Sequence, residues 1–432
     1  MYASSMFRSL RHRNVGPFFV GLAVSNIGTW MQLTAMSLMV YRLTGKATDV
    51  GITLFCQFLP MLVLGIWAGA VADRVSKRRM AICTQSALAV QALLLGGLVL
   101  AGWINLPLLY LLSFVLGIIS ALDNPARRGF VIELVEPDDI SNVVSLNTAV
   151  MTGSRIFGPA LAALLIGPLG AGWLFVLNGV SFLAILWPIV RIDQSSLHVA
   201  PPAPRGGTPV RDALRFVGRN QRLLLMYVVF TVVGTFSFNY GVSLLKLADQ
   251  RFDSRNLFGW LLAVTSIGSL LGSLVTAARQ VVTSSWFFGA AFVMGVSGFG
   301  VAFAPSIGVA YVFSIPLGAG GAAFIASLNA ITQQDSPPDM RGRLLALGAV
   351  AFLGTTPIGA PITGWVADNV SAEWSLAYGS VIALVAVGVG LWVRRRSVGA
   401  DVPANQYEPA TVHVDHAHRG GVVVEGGPGV GV

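Results

Sequence analysis

Twelve times between residues 16 and 393 the sequence runs for about 20 residues with almost no charge and then breaks into a short polar segment. A bilayer core of about 30 Å takes about 20 residues of helix to cross, so each run is long enough to span one. The windows are 16–41, 50–72, 80–101, 107–125, 143–167 and 171–191, followed by 222–246, 257–279, 285–304, 309–332, 344–367 and 374–393. They lack the apolar–polar alternation of barrel strands, which leaves helices, whose backbone bonds close within the segment. Only 11% of the 432 residues are charged, against about 25% in soluble domains. That cannot coat two or three soluble cores. The expected fold class is an all-α membrane protein with twelve transmembrane helices in two six-helix halves.

The boundaries follow from composition. Residues 1–191 form the first half, and the polar, proline-rich stretch 192–221 is a cytoplasmic linker. Residues 222–396 form the second half, and the glycine- and valine-rich segment 397–432 is a disordered cytoplasmic tail. Of the 28 Lys and Arg, 22 fall on the side of the N-terminus and five on the other. The positive-inside rule then puts both termini in the cytosol of a cell inner-membrane protein. It also accounts for the net charge of +9 without nucleic acid. Cys56 and Cys83 lie within spans and form no CxxC, while His413, His416 and His418 are too loosely spaced for a metal site. No catalytic cluster is visible, so neither enzyme nor cofactor is expected. The absence of Gly-x-x-x-x-Gly-Lys-(Ser/Thr) excludes an ATP-driven pump on this chain.

The halves echo each other. Gly153 and Gly158 recur 201 residues later as Gly354 and Gly359, and Gly117 recurs as Gly318. Gly65 and Gly69 correspond to Gly268 and Gly272. With six spans per half the repeat is parallel, the plan of an alternating-access transporter with its site between the halves.

Three motifs narrow the reading. The loop Gly69-Ala-Val-Ala-Asp73-Arg74-Val-Ser-Lys77-Arg78-Arg79 resembles the signature loop of the major facilitator superfamily. That resemblance implies a cytoplasmic gate with Asp73 as its acid and Arg74, Lys77 and Arg78 as its basic partners. The second half retains only Gly272-Ser-Leu-Val-Thr276-Ala-Ala-Arg279. The run Gly153-Ser154-Arg155-Ile-Phe-Gly158-Pro159-Ala-Leu-Ala162-Ala163 places Ser154, Gly158 and Ala162 on one small-residue stripe, where another helix can approach closely. It resembles the antiporter motif of twelve-span drug exporters, with Ala162 and Ala163 replacing glycines. The run Asp123-Asn124-Pro125-Ala126-Arg127-Arg128, with Asn147, Arg155 and the opening Phe7-Arg8-Ser9-Leu10 and Asn14, resembles the exporter branch containing enterobactin and macrolide efflux carriers. The resemblance spans residues 7–396. It implies export of a medium-sized amphipathic molecule of drug, macrolide or siderophore class, by proton antiport.

Arg155 is the basic residue deepest in a span, so it needs a partner or water. A structural role and a substrate or coupling role both stay open. Asp123 is the expected acid, either as Arg155's partner and coupling group or as a helix cap. Asn26, Trp30, Gln32, Gln57, Phe236, Asn239 and Asn329 are the candidate cavity residues: a few polar groups in an apolar wall suit an amphipathic ligand. Expected partners are a small-molecule substrate, the proton and the lipid bilayer, with the chain a monomer. The alternatives are a gradient-independent facilitator or nutrient importer of the same fold and, more remotely, a membrane-embedded receptor or enzyme.

Overall fold

The computed structural model describes residues 14–397 apart from 73, 194, 196, 199–208, 256, 354 and 355, and the described residues contain helices and no strand. The first half comprises α1 (Val15–Thr44), α2 (Ala47–Ala72), α3 (Lys77–Leu100), α4 (Leu106–Glu133) and α5 (Ile140–Arg191). A short helix, α6 (Pro209–Arg219), precedes the second half. That half comprises α7 (Gln221–Ser237), α8 (Tyr240–Gln250), α9 (Leu257–Ala277), α10 (Ser284–Ala302), α11 (Ile307–Gln334), α12 (Pro338–Leu353), α13 (Thr356–Asn369) and α14 (Ala372–Ser397).

Local chemistry sets several boundaries. The side chains of Asn105, Asn220, Thr283 and Ser306 accept from the backbone N–H three residues on, opening α4, α7, α10 and α11. Gly45, at φ 70°, closes α1 and returns its N–H to the Tyr41 carbonyl at 2.8 Å.

The described residues of each of the twelve apolar windows fall mainly on helix, window 344–367 being shared by α12 and α13 on either side of residues 354 and 355. Windows 143–167 and 171–191 form the single element α5, turned at Gly170, whose φ of 78° breaks the helical path. Window 222–246 divides into α7 and α8 at Phe238 and Asn239. No glycine or proline marks that break. Asn239 makes it by turning its Nδ2 back to the Thr235 carbonyl at 2.8 Å while its own carbonyl accepts from Val242 and Ser243. Among the described residues, ten helical segments are long and apolar enough to cross a membrane, and α5 with its two windows counts as one of them. Helix α1 is not among the ten, because it carries polar residues such as Asn26, Gln32, Thr34 and Ser37, all buried against protein. The stretch 192–221 also contains an unforeseen element: α6 buries Ala213 and Val217 and leaves Arg211, Arg215 and Arg219 exposed.

The glycine repeat has a physical meaning. A Cβ on Gly158 in α5 would strike Trp30 and the backbone of Ile27 and Met31 in α1; one on Gly359 in α13 would strike the Thr235 carbonyl of α7. Gly117 meets the Gln57 carbonyl of α2 as Gly318 meets the Thr265 carbonyl of α9. Each half thus makes the same two helix crossings with the same residue. The correspondence fails at the pairs 65/268 and 69/272: Gly268 and Gly272 meet the Ile315 and Ala319 carbonyls, while nothing lies within 4 Å of a Cβ on Gly65 or Gly69. Gly354 lies outside the described residues.

Adding a side chain at Gly158 or Gly359 is therefore expected to cost about 1–3 kcal/mol by overpacking. Gly158→Val and Gly359→Val should lower the thermal midpoint of the purified protein, whereas Gly153→Ala, with open space around its Cβ, should leave it unchanged.

Candidate functional site

The helices alternate in direction. One end of the bundle, here proximal, holds the starts of α1, α3 and α7; the distal end holds the starts of α2 and α4 and the ends of α8 and α13. The halves meet closely near the distal end. There Gly51 of α2 lies on the Ala360 carbonyl, Gly364 of α13 lies on the Ala47 carbonyl, and Gly259 of α9 rests against Pro159 and Ala163 of α5.

A polar latch reinforces this contact. Asp368, at the end of α13, accepts from the backbone N–H groups of Ala47 and Thr48 at 2.9 and 2.8 Å and from the Thr48 hydroxyl at 2.7 Å. It therefore caps the N-terminus of α2 in the opposite half, where the helix dipole favours negative charge. Lys246 of α8 neutralises the same carboxylate at 2.7 Å with its side chain 7% exposed. Beside it, Tyr41 of α1 donates to Asp249 of α8 at 2.7 Å, and Arg255 holds the other Asp249 oxygen at 2.6 Å. That hydrogen bond raises the Arg255 guanidinium further above its usual range. Lys246 and Arg255 each lie 5.5 Å from the centre of the Tyr41 ring.

Among the described residues, the ion pairs at the proximal end run within one half or, as with Arg343 and Asp212, between the second half and α6. Lys77 bonds Glu133 at 3.1 Å, and Arg222 bonds Asp335 at 3.1 Å. Arg78 donates to the Ile189 and Val190 carbonyls at 2.9 and 2.6 Å, completing the end of α5. Of the expected gate residues, Asp73 lies outside the described residues and Arg74 is exposed. Lys77 and Arg78 tie α3 to its own half.

Between the ends, the structure separates two residues expected to pair. Asp123 is bonded not to Arg155 but to Arg127, one turn along the same helix, at 3.1 Å. Its second oxygen accepts from Thr84 and Gln85 of α3 at 2.7 and 2.8 Å. The reason is geometric: Asp123 faces α3, while Arg155 faces α1. The Arg155 guanidinium lies 5.0 Å from the centre of the Trp30 ring. Such a cation–π contact contributes about 0.5–2 kcal/mol, less than the roughly 2.5–3.5 kcal/mol that a central arginine costs on insertion scales.

The remaining cavity candidates divide. Gln32 belongs to the interior of the first half, accepting from Asn178 at 2.7 Å. Asn239 is used in the α7–α8 break, with Phe236 just before it, edge-on to Tyr378. Gln57 and Trp30 are half-buried and Asn329 is exposed. Asn26 is buried, and its Nδ2 has no hydrogen-bond partner. The Ser154–Gly158–Ala162 stripe is buried, as close packing requires.

The sequence model described as transmembrane secretion effector matches residues 4–425. The chain belongs to this family. It is 27% identical over 372 residues to the uncharacterized MFS-type transporter YfiS of Bacillus subtilis, covering 82% of this chain and 86% of that one. It is 22% identical over 393 residues to macrolide efflux protein A of Streptococcus pyogenes, covering 85% and 93%. A crystal structure of a bacterial homologue of the iron transporter ferroportin, in an inward-facing state, shares the fold with a TM-score of 0.66 at 17% identity, covering 89% and 98%. The chain is a multi-pass membrane transporter of the major facilitator type, not an enzyme, and its cargo is a small molecule.

The distal latch of this transporter escapes sequence reading. Lys246 and Arg255 enter a sequence analysis only as basic residues on the minority side, and Tyr41, Asp249 and Asp368 fit no motif. A partial signal exists, since Lys246 and Asp368 are charges within or bordering apolar windows.

If the Asp123–Arg127 pair holds α4 against α3, Arg127→Gln should destabilise the protein by about 3–5 kcal/mol, because it leaves a buried carboxylate unpaired. Adding Asp123→Asn to that variant should restore much of the loss in a thermal unfolding measurement.

Proposed function

We propose that this secretion effector is a secondary active exporter of a medium-sized amphipathic small molecule, working by alternating access between its halves. Its termini face the cytosol of a bacterial inner membrane, and the chain acts as a monomer. The observation that carries the reading is the asymmetry of the inter-half contacts. Asp368 and Asp249 bridge the halves at the distal end, while no proximal ion pair between described residues runs from one half to the other. With the majority of Lys and Arg on the proximal side, that side is cytosolic, and the cleft faces the compartment from which an exporter loads. The cleft candidates are Arg155 and Trp30 with Gln57 and Asn329, beside an apolar wall near Phe236.

The signature loop fits a gate that forms when the proximal ends come together, with Asp73 as its acid and Arg74, Lys77 and Arg78 near it. Proton antiport assigns Asp123 the coupling role. In the present arrangement its carboxylate is satisfied by Arg127, Thr84 and Gln85, so exchange requires that pair to open in the alternate state. The same satisfaction supports a second reading, a gradient-independent facilitator in which the pair is purely structural.

Transport by purified protein in liposomes, with and without an imposed pH gradient, separates the two. An antiporter takes up dye or macrolide only with the gradient and loses this dependence in Asp123→Asn. Uptake indifferent to the gradient establishes the facilitator. Asp73→Asn is expected to abolish transport in either case while leaving expression and folding unchanged, and full activity in that variant removes the gate assignment.

A further inference from the structure

Arg155 has no counter-charge among the described residues, at a depth where charge is costly, and its position says what neutralises it. The register between α4 and α5 is fixed by Arg127, whose Nη1 lies 3.7 Å from the Met151 sulfur. Asp123 is one turn beyond Arg127, and Arg155 is one turn beyond Met151 on the helix running the other way. The two side chains therefore start at about the same depth. Yet Asp123 is consumed by Arg127, Thr84 and Gln85, and no ion pair with a described carboxylate is made by Arg155.

Its direction follows from the neighbours on α5. At about 100° per residue, Arg155 points between Gly158, which packs on α1 of its own half, and Pro159, which packs on α9 of the opposite half. Phe157, Leu161 and Leu164, which form the exposed apolar face, lie about 180–240° away. Arg155 is exposed, and its place on the side opposite that lipid-type face directs it toward the space between the halves. Trp30 flanks it with a flat apolar surface. A planar five-donor fork beside an indole ring matches a ligand with an oxyanion on an apolar or aromatic body.

We propose that Arg155 is an anion-recognition residue in the inter-half cleft and that the cargo is an organic anion, an apolar or aromatic body bearing a carboxylate, sulfonate or phosphate. This rests on the exporter reading and narrows its cargo class. A cationic amphiphile is disfavoured, because its charge would meet Arg155 with no described acid free to offset it.

The test uses the full chain in lipid nanodiscs and three fluorescent probes that differ in the head group: dansylglycine, dansylglycinamide and dansylcadaverine. Empty nanodiscs are the blank. Dansylglycine is expected to bind about tenfold or more tighter than its amide, the scale of a charge-assisted pair. Arg155→Gln should erase that preference and leave the amide's affinity within about twofold. Arg155→Lys keeps the charge without the fork and carries the test if the glutamine variant fails to fold. It should weaken dansylglycine about threefold with the amide unaffected. Equal binding of the three probes by the parent, or an anion preference that survives Arg155→Gln, overturns the proposal. So does displacement of dansylglycine by inorganic phosphate as effectively as by unlabelled dodecanoate, which would make the site one for simple anions. Because selectivity is read with no gradient, its failure removes the anion assignment alone, whereas loss of gradient-driven uptake removes the exporter reading alone.

Discussion

A carboxylate of one half caps a helix of the other. Asp368 ends a helix of the second half and caps the opening turn of α2 in the first half, with Lys246 supplying its counter-charge. Helix starts leave backbone N–H groups without partners, and at depth in a membrane protein each one left dry is costly. The two halves can separate at this end only if both Ala47 and Thr48 find other acceptors and the carboxylate keeps its lysine. Water entering an opening cleft supplies those acceptors. A latch of this kind holds firmly when dry and releases when wet, which gives an alternating-access protein two discrete arrangements in place of a continuum.

The rest of the molecule is arranged around that constraint. Close crossings of α2 with α13 and of α5 with α9 bring backbones together where Gly51, Gly364 and Gly259 allow it, and the latch sits over them. Farther from this end, charge is used differently. Asp123 and Arg127 neutralise each other within α4 and pin it to α3, so this pair belongs to the scaffold of one half in the present state. Arg155, at similar depth, is left for the cleft. The separation of these two roles on neighbouring helices divides what the sequence suggests is a single charged pair.

How much of this was legible beforehand depends on the range of the interaction. Span positions follow from local composition, and the described residues of all twelve windows fall mainly on helix. The break at Asn239 was not visible, because a side chain bonding its own helix carries no composition signal. The glycine repeat was legible at 117/318 and 158/359, where the same crossing is built twice, and misleading at Gly65, which packs against nothing. Sequence offers Asp123 as the acid for Arg155 or as a helix cap. Its partner is Arg127, four residues away on the same face, which no motif singles out. The latch joins residues up to 321 apart in sequence, Ala47 with Asp368, and belongs to no motif, so only the assembled structure reveals it.

The central claim is that Asp368 sets the balance between the two arrangements. It is tested most directly by measuring the distance distribution between spin labels at Leu43 and Val370, both exposed near the distal end, in the parent and in Asp368→Asn in nanodiscs. The account predicts a dominant short-distance population in the parent. In the variant it predicts a shift of about 5- to 150-fold in the closed-to-open ratio toward longer distances, the scale of a 1–3 kcal/mol coupling. An unchanged distribution in a variant that remains folded would show that the latch does not hold the halves together and would contradict the account.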